Sequence, residues 1–280
     1  AGQSEILEFA GVAQQSAIHR RGVGGAVRWS ARIAIVCLLL ITGVSQAAVT
    51  VTGDVANPGA VELPAGGRLL DVINVAQPNA ESYWLAGVLL RQSLIEQQTR
   101  LKAGVLFDLD VLQRMAMLFD RPSRAALAVR LAEDVRRMPV TGRQVAVLDP
   151  VAVEVGFARN IRLDDGDRLI YPLRVDEVEV LGAVAESCRL PYQALQEARD
   201  YLQGCTPLVD ADADYLWLIQ PNGVTRRVGI AHWNRESGQI PAAGSKILVP
   251  VKNDDLDPPI PELNQQLAEF IATQLAEVVR

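Results

Sequence analysis

The chain has 280 residues, 49% hydrophobic, 21% charged and 5% aromatic, with 21 Gly, 15 Pro and 3 Cys. That balance excludes disordered, collagen-like and disulfide-dense classes, because apolar residues are plentiful enough to build a core and cysteines are few. The formal charge of −6 argues against a nucleic acid or an anionic membrane surface held by bulk electrostatics, since both attract clustered Lys and Arg.

The longest apolar run covers residues 33–44 (IAIVCLLLITGV), short of the roughly 20 residues that span a bilayer. Arg28 and Arg32 precede it and Ser45-Gln46-Ala47 follows. A positive flank, a short apolar centre and small residues at the end are the parts of a secretory signal peptide, with cleavage expected near Ala47 and a periplasmic mature chain that carries no membrane span. The competing reading is an uncleaved anchor, which the shortness of the run disfavours. Cys37 sits mid-run, away from any junction, so no lipid is expected on it. Residues 1–27 form a preamble longer than signal peptides carry and read as an over-extended start. Losing Arg20, Arg21, Arg28 and Arg32 with Glu5 and Glu8 takes the formal charge from −6 to −8.

Residues 49–55 (VTVTGDV) alternate as a strand, Asn57-Pro58-Gly59 supplies turn chemistry, and residues 60–63 resume extended spacing, so a hairpin is predicted. A helix follows over about 68–76, with Leu69, Leu70, Val72, Ile73 and Ala76 on one face and Pro78 as its stop. Between Asn79 and Val140 the spacing predicts two helices, Leu89 to about Phe119 and Arg121 to Met138, broken at Arg121-Pro122-Ser123. They read as an inserted helical hairpin. Residues 163–172 then give a tight polar turn, a buried strand and a closing Pro.

The pattern returns as an internal repeat. Residues 178–184 form a strand and turn, Cys188 to Tyr192 a second strand, and about Gln193 to Leu202 a helix. A hairpin of 214–219 and 223–230 surrounds Pro221-Asn222-Gly223, and residues 243–250 close the copy as 163–172 closed the first. After a stiff Pro-rich stretch, a last helix runs from Glu262 to about Val278 with a stripe of Leu263, Leu267, Phe270, Ile271, Leu275 and Val278. That stripe suits packing within the chain, with a partner helix or membrane as the other openings. The expected organisation is an N-terminal extension and signal peptide over 1–47, a first domain over 48–174 with an insertion at about 80–140, a second domain over 175–252, and a linker with an amphipathic helix over 253–280.

Gly53-Asp54-Val55-Ala56-Asn57-Pro58-Gly59 followed by Leu163 to Pro172 resembles the SLBB variety of β-grasp domain. The second copy keeps Gly182-Ala183-Val184 but has Glu186-Ser187-Cys188 where the first has Pro-Gly. The whole arrangement is similar to the GfcC capsule-biosynthesis family. It includes residues 83–90 (YWLAGVLL), Val140-Thr141-Gly142-Arg143, residues 219–223 (IQPNG) and Trp233-Asn234. The resemblance implies an α+β fold of two tandem β-grasp domains, with a helical hairpin in the first and a C-terminal amphipathic helix. It implies a periplasmic, non-enzymatic accessory of capsule or exopolysaccharide assembly or export, without cofactor, related in its domains to Wza-type exporters. The partners so implied are surface polysaccharide, an outer-membrane polysaccharide export protein, or both.

The family motif places its Arg in a surface pocket, which makes Arg143 the first candidate ligand contact, since a guanidinium binds a sugar carboxylate or phosphate bidentately. The other reading is an Arg that bridges insertion and sheet through backbone carbonyls. Tyr83 and Trp84 precede the insertion and could stack on sugar rings near Arg143, or serve as packing anchors. Trp233 and Asn234, in a loop after a strand, stand open between packing and contact, whereas Trp217 lies inside a strand. His232, the sole histidine beyond residue 47, has neither the neighbours of a metal site nor those of a nucleophile, so no metal is expected. Asp164, Asp165 and Asp167 are dense enough for a glycosidase-like pair but flank Gly166 in a turn, where Asp caps amides. In a β-grasp, Cys188 just after the hairpin turn and Cys205 just after the helix could meet as a disulfide. A pure protein adaptor and, less favoured, a carbohydrate-active enzyme are the competing function classes.

Overall fold

The computed structural model describes residues 47–252 and 260–275. The proposed signal peptide up to residue 46, Cys37 included, most of the Pro-rich linker and residues 276–280 lie outside the described residues. The hairpin of β1 (Ala47–Gly53) and β2 (Gly59–Leu63) comes first, followed by α1 (Leu69–Ala76). After β3 (Val88–Leu90) come α2 (Ile95–Leu118), α3 (Pro122–Arg137), β4 (Arg143–Gln144), α4 (Pro150–Glu154) and β5 (Arg168–Tyr171). The second copy has β6 (Glu177–Gly182), β7 (Cys188–Pro191), a 3-10 segment (Ala198–Gln203), β8 (Tyr215–Ile219), β9 (Thr225–Gly229) and β10 (Lys246–Val249). The last described element is α5 (Leu263–Ala272). Among the described residues no helix is long and apolar enough to cross a membrane.

Both sheets have one topology. The orders are β2-β1-β5-β3-β4 and β7-β6-β10-β8-β9, with β1–β5 and β6–β10 the parallel pairs and every other pairing antiparallel. The α+β class and the two tandem copies read from the repeat are what the structure holds. The Gly-x-Val motif recurs for a backbone reason. Gly53 and Gly182 end the first strand of each copy at φ +95° and +100°, and a Cβ there would lie 2.1 Å from the Tyr171 carbonyl oxygen and 2.3 Å from that of Val249. Only glycine combines that conformation with that approach. Two residues on, Val55 bridges Pro78 and Val184 bridges Pro207 in the same way.

Topological equivalence locates the insertion. In the second copy β8 reaches β9 through the Gln220–Val224 turn, whereas in the first copy β3 reaches β4 through α2 and α3. Pro122 opens α3 at a position where its missing N–H costs nothing. The helices do not pack on the sheet that carries them. Leu109 and Leu112 of α2, and Leu127 and Leu131 of α3, join Phe270 and Ile271 of α5 and the second sheet in one core. The first copy keeps a smaller core around Val49, Val51, Leu69, Val72, Leu169 and Tyr171.

Polar contacts fix this loan. Arg124 of α3 is 2% exposed and pairs with Asp210 at 3.2 Å. The Arg130 guanidinium donates to the carbonyls of Gly182 and Val184 at 3.0 and 2.6 Å. On α5, the Asn264 amide pairs with both backbone groups of Val251, at 3.0 and 2.8 Å, as a neighbouring strand would.

Three predicted helices need correction, the last of which stops at Ala272 and does not run on to Val278, since residues 273–275 are turn and coil. Leu89 and Leu90 belong to β3, because Leu89 lies opposite Leu169 at the centre of the first sheet with no exposed surface; the helix starts at Ile95. In the second copy the predicted helix from Gln193 shortens to the 3-10 segment. Leu195 sits at φ +66°, which breaks helical propagation, and the Ala198 N–H is donated to the Gln239 carbonyl. Cys188 and Cys205 are joined in a disulfide that ties β7 to the end of that segment.

Candidate functional site

Arg143 opens β4, and its position follows from the Thr141-Gly142 turn that brings the chain back from α3. Gly142 at φ +75° lets the backbone reverse, and the Gln98 side chain clamps it by accepting from the Gly142 N–H and donating to the Arg143 carbonyl, both at 2.8 Å. The Arg143 side chain then leaves the first sheet and crosses to the second copy. Its guanidinium donates to the carbonyls of Ala272 and Gln274 at 3.2 and 3.3 Å and to that of Pro221, inside the β8–β9 turn. The residue is 7% exposed, and burial pushes its pKa down to about 10. The space beside it is about 20 Å³, room for a water and far too little for a sugar ring. In place of an open ligand pocket, the geometry is that of an Arg spent on backbone carbonyls. It spans from the first sheet to the second copy and the last helix.

Tyr83 is engaged by partners other than Arg143. The Tyr83 hydroxyl donates to the Ala243 carbonyl at 2.9 Å, and its ring faces the Arg174 guanidinium 5.5 Å from the centroid. The same guanidinium lies 5.3 Å from the Tyr192 ring, so a linker Arg is sandwiched between a tyrosine of each copy. Burial raises the Tyr83 pKa against the opposing pull of Arg174. Trp84, partly exposed, starts the short 3-10 turn before β3.

The three aspartates serve their turn. Asp165 accepts from the Ala48 N–H at 2.8 Å, Asp167 accepts from the Asp164 N–H at 2.9 Å, and Arg91 pairs with both Asp164 and Asp167. Burial raises the Asp167 pKa, and the Asp164 N–H and Arg91 oppose that shift. Among the described residues, no group of three or more His, Cys, Asp or Glu is placed to hold a metal ion.

Trp233 has the opposite setting to Arg143. Its indole is 70% exposed, yet three contacts hold the loop that carries it. The indole N–H donates to Asp214 at 3.3 Å, the Asn234 amide donates to the Asp214 carbonyl at 3.0 Å, and the Tyr215 ring meets Trp233 edge-on at 6.2 Å. Glu236 closes the loop by accepting from the Gly229 N–H at 3.2 Å and the Arg226 guanidinium at 2.9 Å, contacts that hold its carboxyl below the usual range. An exposed aromatic face held in one orientation is a platform on which the C–H face of a sugar ring can stack.

Tyr215 and Arg227 complete that surface and escaped the sequence reading. The signal was present in the alternation of β8, which puts Tyr215 and Trp217 on one face, but the register that sets Arg227 opposite Trp217 is visible only in the sheet. A second concavity of about 540 Å³ lies between α3, α5 and the second sheet. It is walled by Val135, Met138, Leu267 and Ile271 over Leu181 and Leu248.

Comparison with known proteins gives two family matches. The N-terminal model of capsule biosynthesis GfcC matches residues 45–172, and the C-terminal model matches residues 186–276. A relative from Escherichia coli (strain K12), the uncharacterized protein YjbG, is 28% identical over 220 residues, covering 77% of this chain and 86% of its own.

Proposed function

The chain belongs to the GfcC capsule-biosynthesis family, and from that premise we propose that it is a periplasmic, non-enzymatic accessory that holds surface polysaccharide at the Trp233 loop during assembly or export. Membership supplies the role in capsule or polysaccharide biosynthesis. The observation that carries the binding reading is Trp233 itself, an indole 70% exposed whose orientation is fixed by Asp214 and Tyr215. Exposing so large an apolar face costs solvation, and a fixed loop adds ordering entropy; a ligand that covers the face offsets both. The signal-like run before residue 47 and the Cys188–Cys205 disulfide support the oxidising periplasm.

A protein adaptor is the second reading, favoured by apolar side chains exposed beyond β4. Val151 is 64% and Phe157 91% exposed, with Val145 and Val147 beside them, a surface that an export protein could cover. The last helix is not the docking element in that reading, because Leu263, Leu267, Phe270 and Ile271 are spent in the core.

The test is isothermal calorimetry of purified residues 48–280 against oligosaccharides cut from the source cell's own surface polysaccharide. A saturable isotherm without release of new reducing ends is expected. Continuing heat with new reducing ends would replace the accessory with an enzyme. No heat at all, with capture of an outer-membrane exporter lost on Phe157→Asp, would replace it with the adaptor.

A further inference from the structure

We propose that the Trp233 surface selects carboxylate-bearing saccharides, with Arg227 as the acid-binding side chain, an inference that rests on the polysaccharide-binding reading of the same loop. Arg227 lies on β9, directly opposite Trp217 and diagonal to Tyr215. Its guanidinium carbon stands 3.5 Å over the Tyr215 ring centroid, and Tyr215 meets Trp233 at 6.2 Å. The guanidinium thus sits over the face of one aromatic ring, and that ring is the neighbour of the exposed indole.

Stacking consumes the face of a guanidinium and leaves its N–H edge for hydrogen bonds. Among the described residues no carboxylate pairs with Arg227, although it is exposed and the chain is acidic overall. Its neighbour Arg226 is, by contrast, spent on Glu236 at 2.9 Å. A planar fork held by stacking has lost rotamer freedom beforehand, so a bidentate carboxylate contact costs it little further ordering.

A second cation is close in sequence: Arg235 is exposed on the same loop as Trp233. The nearby acids are engaged, Glu236 by Arg226 and the Gly229 N–H, Asp214 by the Trp233 indole. An uncommitted cation beside an exposed indole, in a chain of net charge −6, suits one class of sugar. That class has an apolar pyranose face for Trp233 and a ring carboxylate for Arg227, as in a uronic acid. A neutral sugar would leave the fork unused, and a free carboxylate without a ring would leave the indole uncovered.

Calorimetry of residues 48–280 against tri- to pentasaccharides of galacturonate and of mannuronate, each beside its carboxyl-reduced counterpart, tests this. The expected result is saturable binding of at least one uronate series, at least tenfold weaker for the reduced sugar. Arg227→Gln should erase that preference, bringing the uronate down to the affinity of its reduced counterpart, and Trp233→Ala should weaken both. Circular dichroism confirms that each variant is folded. Equal affinity for acidic and reduced forms would overturn the charge selection and leave polysaccharide binding standing. Binding of the source cell's own polysaccharide unaffected by either variant would overturn this surface as the site. No binding to any uronate series would overturn the proposal outright.

Discussion

The two copies share a strand order, a parallel pair and the same positive-φ glycine, yet they are finished differently. The first copy is covered by α1 and α4 and keeps a small core of its own. The second has no α-helix between its strands, only a 3-10 segment, and borrows α2 and α3 from the first copy's β3–β4 connection and α5 from the C-terminal side. The contrast shows that chain continuity is a poor guide to which core a helix serves. An insertion free to leave its own sheet goes where unburied apolar surface is largest, since burial energy follows area and not sequence. The candidate site lies in a different pair of equivalent connections: Trp233 is in the β9–β10 connection of the second copy, and its counterpart in the first copy, β4–β5, carries α4.

The comparison is easiest to break in the borrowed helices. Leu109→Ala in α2 empties a fully buried position and should cost about 3 kcal/mol. Native-state hydrogen exchange should show protection falling in β6, β8 and β10 while β1 and β2 hold. The reverse pattern would return the insertion to the first copy. Gly53→Ala and Gly182→Ala should each cost about 2 to 3 kcal/mol, because both force a Cβ onto a carbonyl at positive φ. Thermal unfolding of the two variants checks the equivalence, and one variant near wild type would end it.

A smaller asymmetry is the disulfide, described only in the second copy. Cys188→Ser with Cys205→Ser should lower stability by about 2 kcal/mol, read as a reduced urea midpoint, with the loss confined to β7 and the 3-10 segment in exchange experiments. The smallest effect is expected at the junction. Tyr83→Phe removes the hydrogen bond to Ala243 and should cost about 1 kcal/mol in the same titration, leaving the Arg174 sandwich in place.

What the sequence made legible was whatever depends on local backbone demands. Gly53-x-Val55 and Gly182-x-Val184 announce the repeat because no other residue satisfies that strand end, and Pro122 marks a helix start for an equally local reason. Leu89 and Leu90 were misread because a short apolar run before a helix has no period of its own; only the pairing with Leu169 makes it a strand. Arg143 was recognisable as special but not as buried, since its acceptors at Pro221, Ala272 and Gln274 are distant in sequence. Trp233 and Asn234 were found as a pair, while Tyr215, Arg227 and Asp214 came into view only through sheet register and the fold of the loop.

The measurement that goes most directly to the central claim is a hydrogen-exchange map of residues 48–280 with and without oligosaccharides of the source cell's surface polysaccharide. The account predicts new protection in 213–217 and 225–236 of the second copy, with residues 143–157 of the first unchanged. Protection confined to 143–157, or none at the Trp233 loop at saturating ligand, would contradict it.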